Sequence, residues 1–387
     1  MMVRLDLWKC AKTSARGLLS AAMLAVLFPM PTLRAQSPSS GDAPLRVAVV
    51  GLVHGHVAGF LPQLPNHPEI QLVGVEEPDQ ALSAKYQKKF DLKPAIFYTD
   101  LETMLQKTHP QAVLVYTSVS DHRHVIEVAA AHGISVMVEK PLTISVEDAL
   151  AIRQAARQHN VNVLVNYETT WYSSNREAYD ELQQGKLGDL RKVIVRDGHE
   201  GPKEIGVGPE FLGWLTDPAK NGAGALYDFG CYGVDLMTWM MHGETPLSVT
   251  AETQTDKPDV YPHADDDSAM ILRYPKAQAL ILGSWDWSFG VKNMEVYGTK
   301  GEAFTDGLDK LHVRYAGEKQ SSLITAPPLA NPNNGSIPYL VAVMHGQLVP
   351  KGDLTALDTN VIVMQILDAA RTSARTGKTV ELKPLPQ

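Results

Sequence analysis

The chain has 387 residues, of which 44% are hydrophobic and 20% are charged, a composition typical of a folded globular protein rather than a disordered one. The length suggests roughly two domains. The formal net charge of -8 at pH 7 disfavours nucleic acid and anionic membrane surfaces as partners.

The first 35 residues predict a secretory signal peptide. Basic residues precede an apolar stretch from Leu18 to Phe28, and the small residue Ala35 follows two prolines. This stretch is much shorter than the roughly 20 residues that cross a bilayer as a helix. We therefore expect residues 1–35 to be removed, leaving a soluble periplasmic or extracellular protein with no membrane association. Residues 36–44, rich in Ser, Gly and Pro, are expected to form a flexible lead-in.

Apolar runs rich in β-branched residues alternate with helical spacing between residues 45 and 166. This alternation predicts a Rossmann-type, doubly wound parallel sheet. In such a sheet, ligands bind beyond the carboxyl ends of the strands. The predicted strands lie at residues 45–50, 70–75, 112–116, 135–138 and 161–165.

The turn after the first strand departs from the usual dinucleotide-binding sequence. A regular sequence has glycines at positions 51, 53 and 56, because a side chain at the second obstructs the pyrophosphate. Here Gly51 is present, Val53 and His56 occupy the other positions, and Gly55 is out of register. An ordinary strand-to-helix turn is therefore an equal alternative. If a dinucleotide binds, we expect Gly51, His54, Gly55 and His56 to contact it.

Two acidic residues, Glu76 and Glu77, end the second predicted strand. A carboxylate at this place accepts hydrogen bonds from the adenosine ribose and repels the extra phosphate of NADP. The sequence therefore favours NAD over NADP, with Glu77 as the ribose ligand and Glu76 as the fallback. The alternative is an exposed glutamate that binds no ligand.

Two further motifs carry a family resemblance. Residues 117–122, Thr-Ser-Val-Ser-Asp-His, follow the third strand, and Glu139-Lys140-Pro141 follows the fourth. In this order they resemble the Gfo/Idh/MocA oxidoreductases, named for glucose-fructose oxidoreductase, inositol dehydrogenase and a rhizopine-catabolism protein. The resemblance implies that Lys140 lies beside the nicotinamide and the substrate. It also implies a cis peptide bond between Lys140 and Pro141. The other cofactor contacts that we expect here are Thr117, Ser118, His122 and Glu139.

A lysine at the carboxyl end of a buried strand needs water, a partner or a ligand for its ammonium group. Lys140 could stabilise the alkoxide that develops as a hydroxyl is oxidised. The alternative is a structural ion pair with Glu139 or another acid.

A third motif, from Asp228 to Asp235, resembles the family's second signature. In that signature an aspartate and a histidine four residues later hold the substrate, and the histidine is often the acid/base. Tyr232 stands at the histidine position here, as in glucose-fructose oxidoreductase and dihydrodiol dehydrogenase. We therefore expect Lys140, Asp228 and Tyr232 to be catalytic, with Lys140 stabilising a Tyr232 phenolate. The alternative makes Asp228 a helix cap and Tyr232 a core aromatic.

Residues 167–387 predict a second domain of the α+β class with a large, mainly antiparallel sheet, because alternating runs occur at 192–196 and again between 247 and 315, where no helical spacing separates them. Closing helices are expected over 339–347 and 360–376. The resemblance implies that the sheet forms a homo-oligomer surface and that the last helix packs on the first domain.

Three aromatic residues, Tyr167, Trp171 and Trp214, are candidates for contact with a sugar ring, which presents hydroxyls and an apolar face. They could equally pack the junction between the domains. We expect no metal, because the acidic run 265–267 and the histidines lack the ligand spacing of calcium or zinc sites.

Three functions are consistent with these observations. The first is NAD-dependent oxidation of a hydroxyl on a sugar or polyol, with a tightly held cofactor. The second is an NAD-dependent glycosidase that oxidises its sugar transiently and returns the hydride. The third is a sugar- or nucleotide-binding protein that has kept the fold without the dinucleotide.

Overall fold

The computed structural model describes residues 43–385, and the statements on structure below refer to these residues. The predicted signal peptide and most of the lead-in, residues 1–42, lie outside the described residues. None of the helices in the described part of the chain combines the length and the apolar character needed to cross a membrane.

Six parallel strands form the first sheet. They are β1 (Leu45–Val50), β2 (Ile70–Glu76), β3 (Phe97–Tyr98), β4 (Ala112–Val115), β5 (Ser135–Glu139) and β6 (Val163–Asn166). Their order across the sheet is β3-β2-β1-β4-β5-β6, so the winding reverses between β1 and β4 and opens a crevice at the carboxyl ends there. The predicted doubly wound parallel sheet is confirmed. The edge strand β3 was not predicted, since two residues carry no periodicity.

The helices of the first half, residues 43–166, cover both faces of the first sheet. They are α1 (Val57–Phe60), α2 (Gln80–Phe90), α3 (Leu101–Thr108), α4 (His122–Ala131) and α5 (Val146–His159). Helix α2 begins after Asp79, whose carboxylate accepts hydrogen bonds from the amides of Ala81 and Leu82. Helix α1 is short and continues as a 3-10 helix over residues 61–66, which contains two prolines.

Nine strands form the second sheet. They are β7 (Leu190–Gly198), β8 (Ser248–Gln254), β9 (Asp267–Arg273), β10 (Gln278–Ser284), β11 (Val291–Gly298), β12 (Gly301–Asp306), β13 (Lys310–Tyr315), β14 (Ser322–Thr325) and β15 (Val380–Glu381). Their order is β14-β13-β12-β11-β7-β10-β9-β8-β15. Only the central pair, β7 and β10, is parallel among these neighbours, so the predicted, mainly antiparallel sheet is confirmed.

The second half comprises residues 167–385. Its helices are α6 (Ser173–Gln183), α7 (Pro209–Leu215), α8 (Pro218–Asn221), α9 (Ala225–Asp228), α10 (Gly230–Met240), α11 (Ser336–Met344) and α12 (Leu357–Thr376). Every residue of α10 is buried. This helix packs against β7, β10 and α12, and α12 also packs against α5 of the first half. A Cβ atom at Gly233 would lie 2.5 Å from Ile281 Cγ2, so glycine lets α10 approach β10 closely. This packing fixes α10, which contains Tyr232, and with it the end of the preceding helix α9, where Asp228 lies.

Candidate active site

A buried ion pair joins the residue after β5 to the last residue of α9. Lys140 Nζ lies 2.5 Å from Asp228 Oδ1 and 2.9 Å from the Asp228 carbonyl oxygen. Both residues are 6% exposed. The bond between Lys140 and Pro141 is cis, as the resemblance implies. Lys140 thus has a structural partner, Asp228 rather than Glu139, and it also lines a cavity.

The surroundings keep both members of this pair charged. Burial raises the pKa of Asp228, but the charge of Lys140 and hydrogen bonds from Lys140 and Trp285 outweigh it, so the net shift is downward. Burial likewise lowers the pKa of Lys140, but the neighbouring Asp228 charge outweighs it and the net shift is upward. Trp285 Nε1 donates to Asp228 Oδ2 over 2.9 Å. The lysine is therefore a fixed cation and hydrogen-bond donor rather than a base.

The position of Asp228 depends on a second aspartate. Asp265 accepts hydrogen bonds from the amides of Gly224 and Leu226, each over 2.7 Å. A Cβ atom at Gly224 would lie 1.9 Å from the Asp265 carbonyl oxygen, so only glycine fits there. The acidic run therefore anchors the segment that leads to Asp228.

Two ammonium groups lie over the ring of Tyr232. Lys140 Nζ is 5.1 Å and Lys292 Nζ is 4.7 Å from the ring centre, within the range of cation–π attraction. Lys292 also binds Glu168 Oε2 over 2.5 Å. Burial, followed by the nearby charge of Asp197, raises the pKa of Tyr232 well above its usual value. This upward shift favours a neutral phenol over the phenolate that the sequence suggested.

These groups line one cavity of about 570 Å³, which is lined by residues of both halves. Its volume is in the range of small-molecule sites. The aromatic ring of Phe229 supplies an apolar wall. The polar groups that line it near the ion pair are Lys140, Asp228, Tyr232, Lys292, Glu168, His199 and His56.

The turn after β1 keeps features that a dinucleotide requires. Gly51 has a φ of 79°, and a Cβ atom there would lie 2.6 Å from Thr117 Cγ2. Glu77 is buried, and its two carboxylate oxygens accept hydrogen bonds from the amides of Leu52 and Asp79. The carboxylate is thereby held beside the glycine turn, with lone pairs left for ribose hydroxyls. These residues fit a dinucleotide.

Two aromatic residues of α7 lie against the same turn. Trp214 Nε1 donates to the Val53 carbonyl over 3.3 Å. A Cβ atom at Gly55 would lie 2.8 Å from Phe211 Cδ1. Trp214 was expected to contact a sugar, but it is buried against this turn and does not line the cavity. The α7 segment therefore covers the turn from the side of the second half.

A histidine pair and a glutamate connect the ends of β1 and β5. His56 Nδ1 lies 2.9 Å from Glu139 Oε2, and the His56 amide donates to His54 Nδ1 over 3.2 Å. One ligand atom from each of these three residues lies within 4.8 Å of the others. The hydrogen bonds explain this grouping without an ion, and the absence of a metal stays a prediction.

Several predicted contacts lie away from the cavity. Tyr167 is fully buried behind Tyr232, with ring centres 5.5 Å apart. Trp171 lines a different cavity, of about 330 Å³, and donates to Asn166 Oδ1. For both, the alternative of packing at the junction agrees better with the structure.

The predicted cofactor contacts after β4 and β5 are also internal. His122 is fully buried, and its Nδ1 lies 3.2 Å from the Leu142 carbonyl, so it supports the turn after Lys140. Ser118 is buried and donates to Asp121 Oδ2 over 2.6 Å. Thr117 is half-buried beside Gly51 and remains the candidate contact of this loop.

Four residues of the site were not predicted as site residues: Glu168, His199, Trp285 and Lys292. Each belongs to the second half and follows or begins a strand or short helix. A lysine at the start of β11 looks like an ordinary surface residue in the sequence, so its place over Tyr232 carries no local signal. The stretch around Glu168 was noted only for its aromatic residues.

Two family models match the chain. Residues 45–167 match the oxidoreductase family with an NAD-binding Rossmann fold, and residues 175–304 match the GFO/IDH/MocA C-terminal domain. Together they account for about two thirds of the chain. An uncharacterized oxidoreductase of Synechocystis is 28% identical over 66% of this chain and 70% of that protein. The trans-1,2-dihydrobenzene-1,2-diol dehydrogenase of Macaca fascicularis is 25% identical over 66% and 72% of the respective chains.

Solved structures share the fold. The aldose-aldose oxidoreductase of Caulobacter crescentus, in complex with glycerol, is similar with a TM-score of 0.74 at 21% identity, over 88% of this chain and 100% of that one. An inositol dehydrogenase homolog of Azotobacter vinelandii, in complex with NAD+, gives 0.74 at 19% identity, over 88% and 97%. The two family models, with the cavity between a Rossmann sheet and a mainly antiparallel sheet, establish that this chain belongs to the GFO/IDH/MocA family of oxidoreductases.

Proposed function

We propose that the protein oxidises a hydroxyl group of a sugar or sugar-like polyol to a carbonyl group, with NAD as the acceptor. The observation that carries this proposal is the buried Lys140–Asp228 pair, which faces a cavity beside the glycine turn of the Rossmann sheet. A buried cation next to a cofactor turn is suited to stabilise negative charge on a substrate oxygen.

Gly51, Glu77 and Thr117 are the residues that would hold the dinucleotide. When bound, NAD supplies the acceptor for the hydride that leaves the substrate carbon. The buried Glu77 carboxylate favours NAD, since its charge repels the phosphate that distinguishes NADP.

Lys140 has three N–H groups, and Asp228 accepts two of them. The third is available to a substrate oxygen, whose developing negative charge the ammonium would stabilise. Asp228 keeps this ammonium in place. Tyr232, as a neutral phenol, would donate a hydrogen bond to a second substrate oxygen.

The cavity supports a small polyhydroxylated substrate. Ammonium, imidazole, phenol and carboxylate groups can bind several hydroxyls, while the Phe229 ring suits the apolar face of a sugar. The name of the dihydrodiol dehydrogenase relative and the glycerol and inositol ligands of similar structures are compatible with this substrate class.

The test is a cofactor and substrate screen on the purified protein. Mass spectrometry of the denatured protein would identify any dinucleotide that copurifies. Nicotinamide absorbance would then follow reduction of NAD with a panel of sugars and polyols. The proposal predicts NAD-dependent oxidation of at least one of them. A protein that neither contains nor binds NAD or NADP would overturn it.

A redox-neutral glycosidase is the second candidate. Phe211 and Trp214 cover the turn after β1, which favours a cofactor that is retained and recycled on the protein. This candidate predicts cleavage of aryl glycosides at a rate that depends on bound NAD, with no net formation of NADH. The dehydrogenase predicts NADH formation in proportion to product.

We also propose that the protein is exported, on the evidence of the first 35 residues. Amino-terminal sequencing of the protein isolated from its native host would test this. A start near residue 36 is expected, and an intact amino terminus in the cytoplasmic fraction would contradict export.

A homo-oligomer through the second sheet is likewise a proposal. Ile271 of β9 is 48% exposed and Leu323 of β14 is 58% exposed, so apolar side chains lie on the outer face of this sheet. Light scattering would measure the mass in solution, and replacing both residues with Lys should yield a monomer.

A further inference from the structure

The oxidation proposed above needs a group that accepts the hydroxyl proton, and the ion pair at Lys140 cannot do so. Lys140 is held as an ammonium by Asp228, and Tyr232 is a neutral phenol. His199 lines the cavity, but its Nδ1 accepts a hydrogen bond from the Gly201 amide over 2.8 Å. The neutral His199 ring therefore presents an N–H, a donor, at Nε2.

His56 differs from these groups in its hydrogen bonding. Its side chain is 45% exposed and lines the same cavity as Lys140. Its Nδ1 lies 2.9 Å from Glu139 Oε2, at the buried end of β5. A carboxylate accepts and cannot donate, so Nδ1 carries the proton of the neutral ring and Nε2 carries the lone pair.

The carboxylate is itself fixed by a chain of hydrogen bonds. Asn166 Nδ2 donates to Glu139 Oε1 over 3.0 Å, and Trp171 Nε1 donates to Asn166 Oδ1 over 3.1 Å. Burial alone would raise the pKa of Glu139. The nearby His56 and the hydrogen bonds from His56 and Asn166 have the opposite effect and are larger together, so the net shift of the pKa is downward. A carboxylate held in this way orients an imidazole and stabilises its protonated form.

We propose that His56 is the general base of this enzyme and that Glu139 is its positioning partner. This inference rests on the proposed function. In the step, the substrate O–H bond breaks and its proton forms a bond to His56 Nε2. NAD, when bound, would supply the acceptor for the hydride of the adjacent C–H bond, so that the carbon–oxygen double bond forms and the substrate loses two electrons. The positive charge of the new imidazolium is balanced by Glu139.

The first test compares His56→Ala with His124→Ala, since His124 is an exposed histidine of α4 outside the site. Turnover of His56→Ala should fall by about 10²- to 10⁴-fold, the usual contribution of a general base. Exogenous imidazole should restore part of that turnover, while NAD affinity, measured by fluorescence quenching, should fall far less than turnover does. His124→Ala should match the wild type and ignore imidazole.

The second test is the pH dependence of kcat/KM. His54, Glu139, Lys140 and Glu168 are the charged or titratable groups around the His56 ring. The wild type should lose kcat/KM in acid, as expected for a reaction that depends on a general base. Glu139→Gln keeps the shape but removes the charge that stabilises the imidazolium, so the acidic limb should move to lower pH. An unmoved limb would overturn the role of Glu139.

Three outcomes would overturn the assignment of His56. The first is normal turnover of His56→Ala. The second is a loss of turnover that imidazole does not restore and that is accompanied by a loss of NAD affinity. His56 would then belong only to the turn that binds the cofactor. The third is loss of wild-type activity on chelation with recovery on zinc addition, since His54, His56 and Glu139 would then be metal ligands. A wild type without NAD binding or turnover would overturn the proposed function itself, and this inference with it.

Discussion

Lys140 Nζ lies 2.5 Å from Asp228 Oδ1, although the two residues are 88 positions apart: Lys140 follows β5 of the first sheet, and Asp228 ends helix α9. Both are buried, so each charge depends on the other for compensation. The same pair therefore holds the two halves together at the cavity and presents a cation to it.

Removal of one partner should be more harmful to folding than removal of both. Lys140→Met leaves the Asp228 charge buried, and breaking such pairs costs about 3–5 kcal/mol. The double variant with Asp228→Asn should regain most of the stability, because Asn can still accept from Trp285. Neither variant should turn over substrate. Urea unfolding and turnover measure the two effects separately.

Lys292→Met is the matched control for this comparison. The Lys292–Glu168 pair is partly exposed, so its loss should change the free energy of unfolding by about 1 kcal/mol or less. Equal destabilisation by Lys140→Met and Lys292→Met would contradict the account of the buried pair.

The charge of Glu77 should set the choice of dinucleotide. Glu77→Gln keeps an oxygen for the Leu52 amide but removes the negative charge. We expect NAD affinity to fall by about tenfold or more, because a charged hydrogen bond contributes about 1.5–3 kcal/mol. NADP affinity should rise. Fluorescence titration with both dinucleotides measures the ratio, and an unchanged preference would remove Glu77 from the cofactor site.

His122 should make folding stability depend on pH. Burial lowers its pKa to about 4, although the Leu142 carbonyl acts in the opposite direction. Between about pH 6.5 and 4 the unfolded chain binds a proton that the folded protein does not, so stability falls as the pH falls. The loss from this group is about 3 kcal/mol. His54, whose pKa burial also lowers, adds to it in the same direction.

The measurement is urea unfolding at several pH values in the wild type and in His122→Gln. The variant should show a shallower decline in acid, since only the other groups titrate. An equally steep decline in both proteins would show that His122 does not contribute.

Tyr232 and His56 should differ in their effect on the pH–rate profile. Tyr232→Phe removes one hydrogen-bond donor, so kcat/KM should fall by about tenfold, equivalent to about 1.4 kcal/mol. Since the phenol stays protonated, the acidic limb should not move. A shift of that limb in Tyr232→Phe would restore the phenol to a role in proton transfer.

The sequence predicts those features that depend on neighbouring residues. Strand β1 has the predicted bounds of 45 and 50, because its β-branched run ends at a glycine. The cis bond at Pro141 follows from the family motif. Asp228 and Tyr232 were predicted to meet the same ligand for the same reason, and both line the cavity, although Asp228 ends α9 and Tyr232 lies in α10.

Pairs between distant segments could not be predicted in this way. Lys292 reaches Glu168 across 124 residues, and His56 reaches Glu139 across 83. No periodicity or spacing in the sequence connects such segments. His56 and Glu139 meet because β1 and β5 end at the same edge of the first sheet, and Lys292 and Glu168 meet only once the second half has folded. The ionisation state of Tyr232 could not be predicted for a related reason, because it depends on burial of the phenol and on the face of the ring that Lys140 approaches.

The ion pair across the two halves also limits how such chains can recombine. A chimera that joined residues 45–167 to the second half of a distant relative would keep both sheets. It would be left with an uncompensated ammonium unless the incoming half placed an acid where Asp228 lies. The residues at positions 140 and 228 should therefore change together in evolution, even where the residues around them differ between relatives.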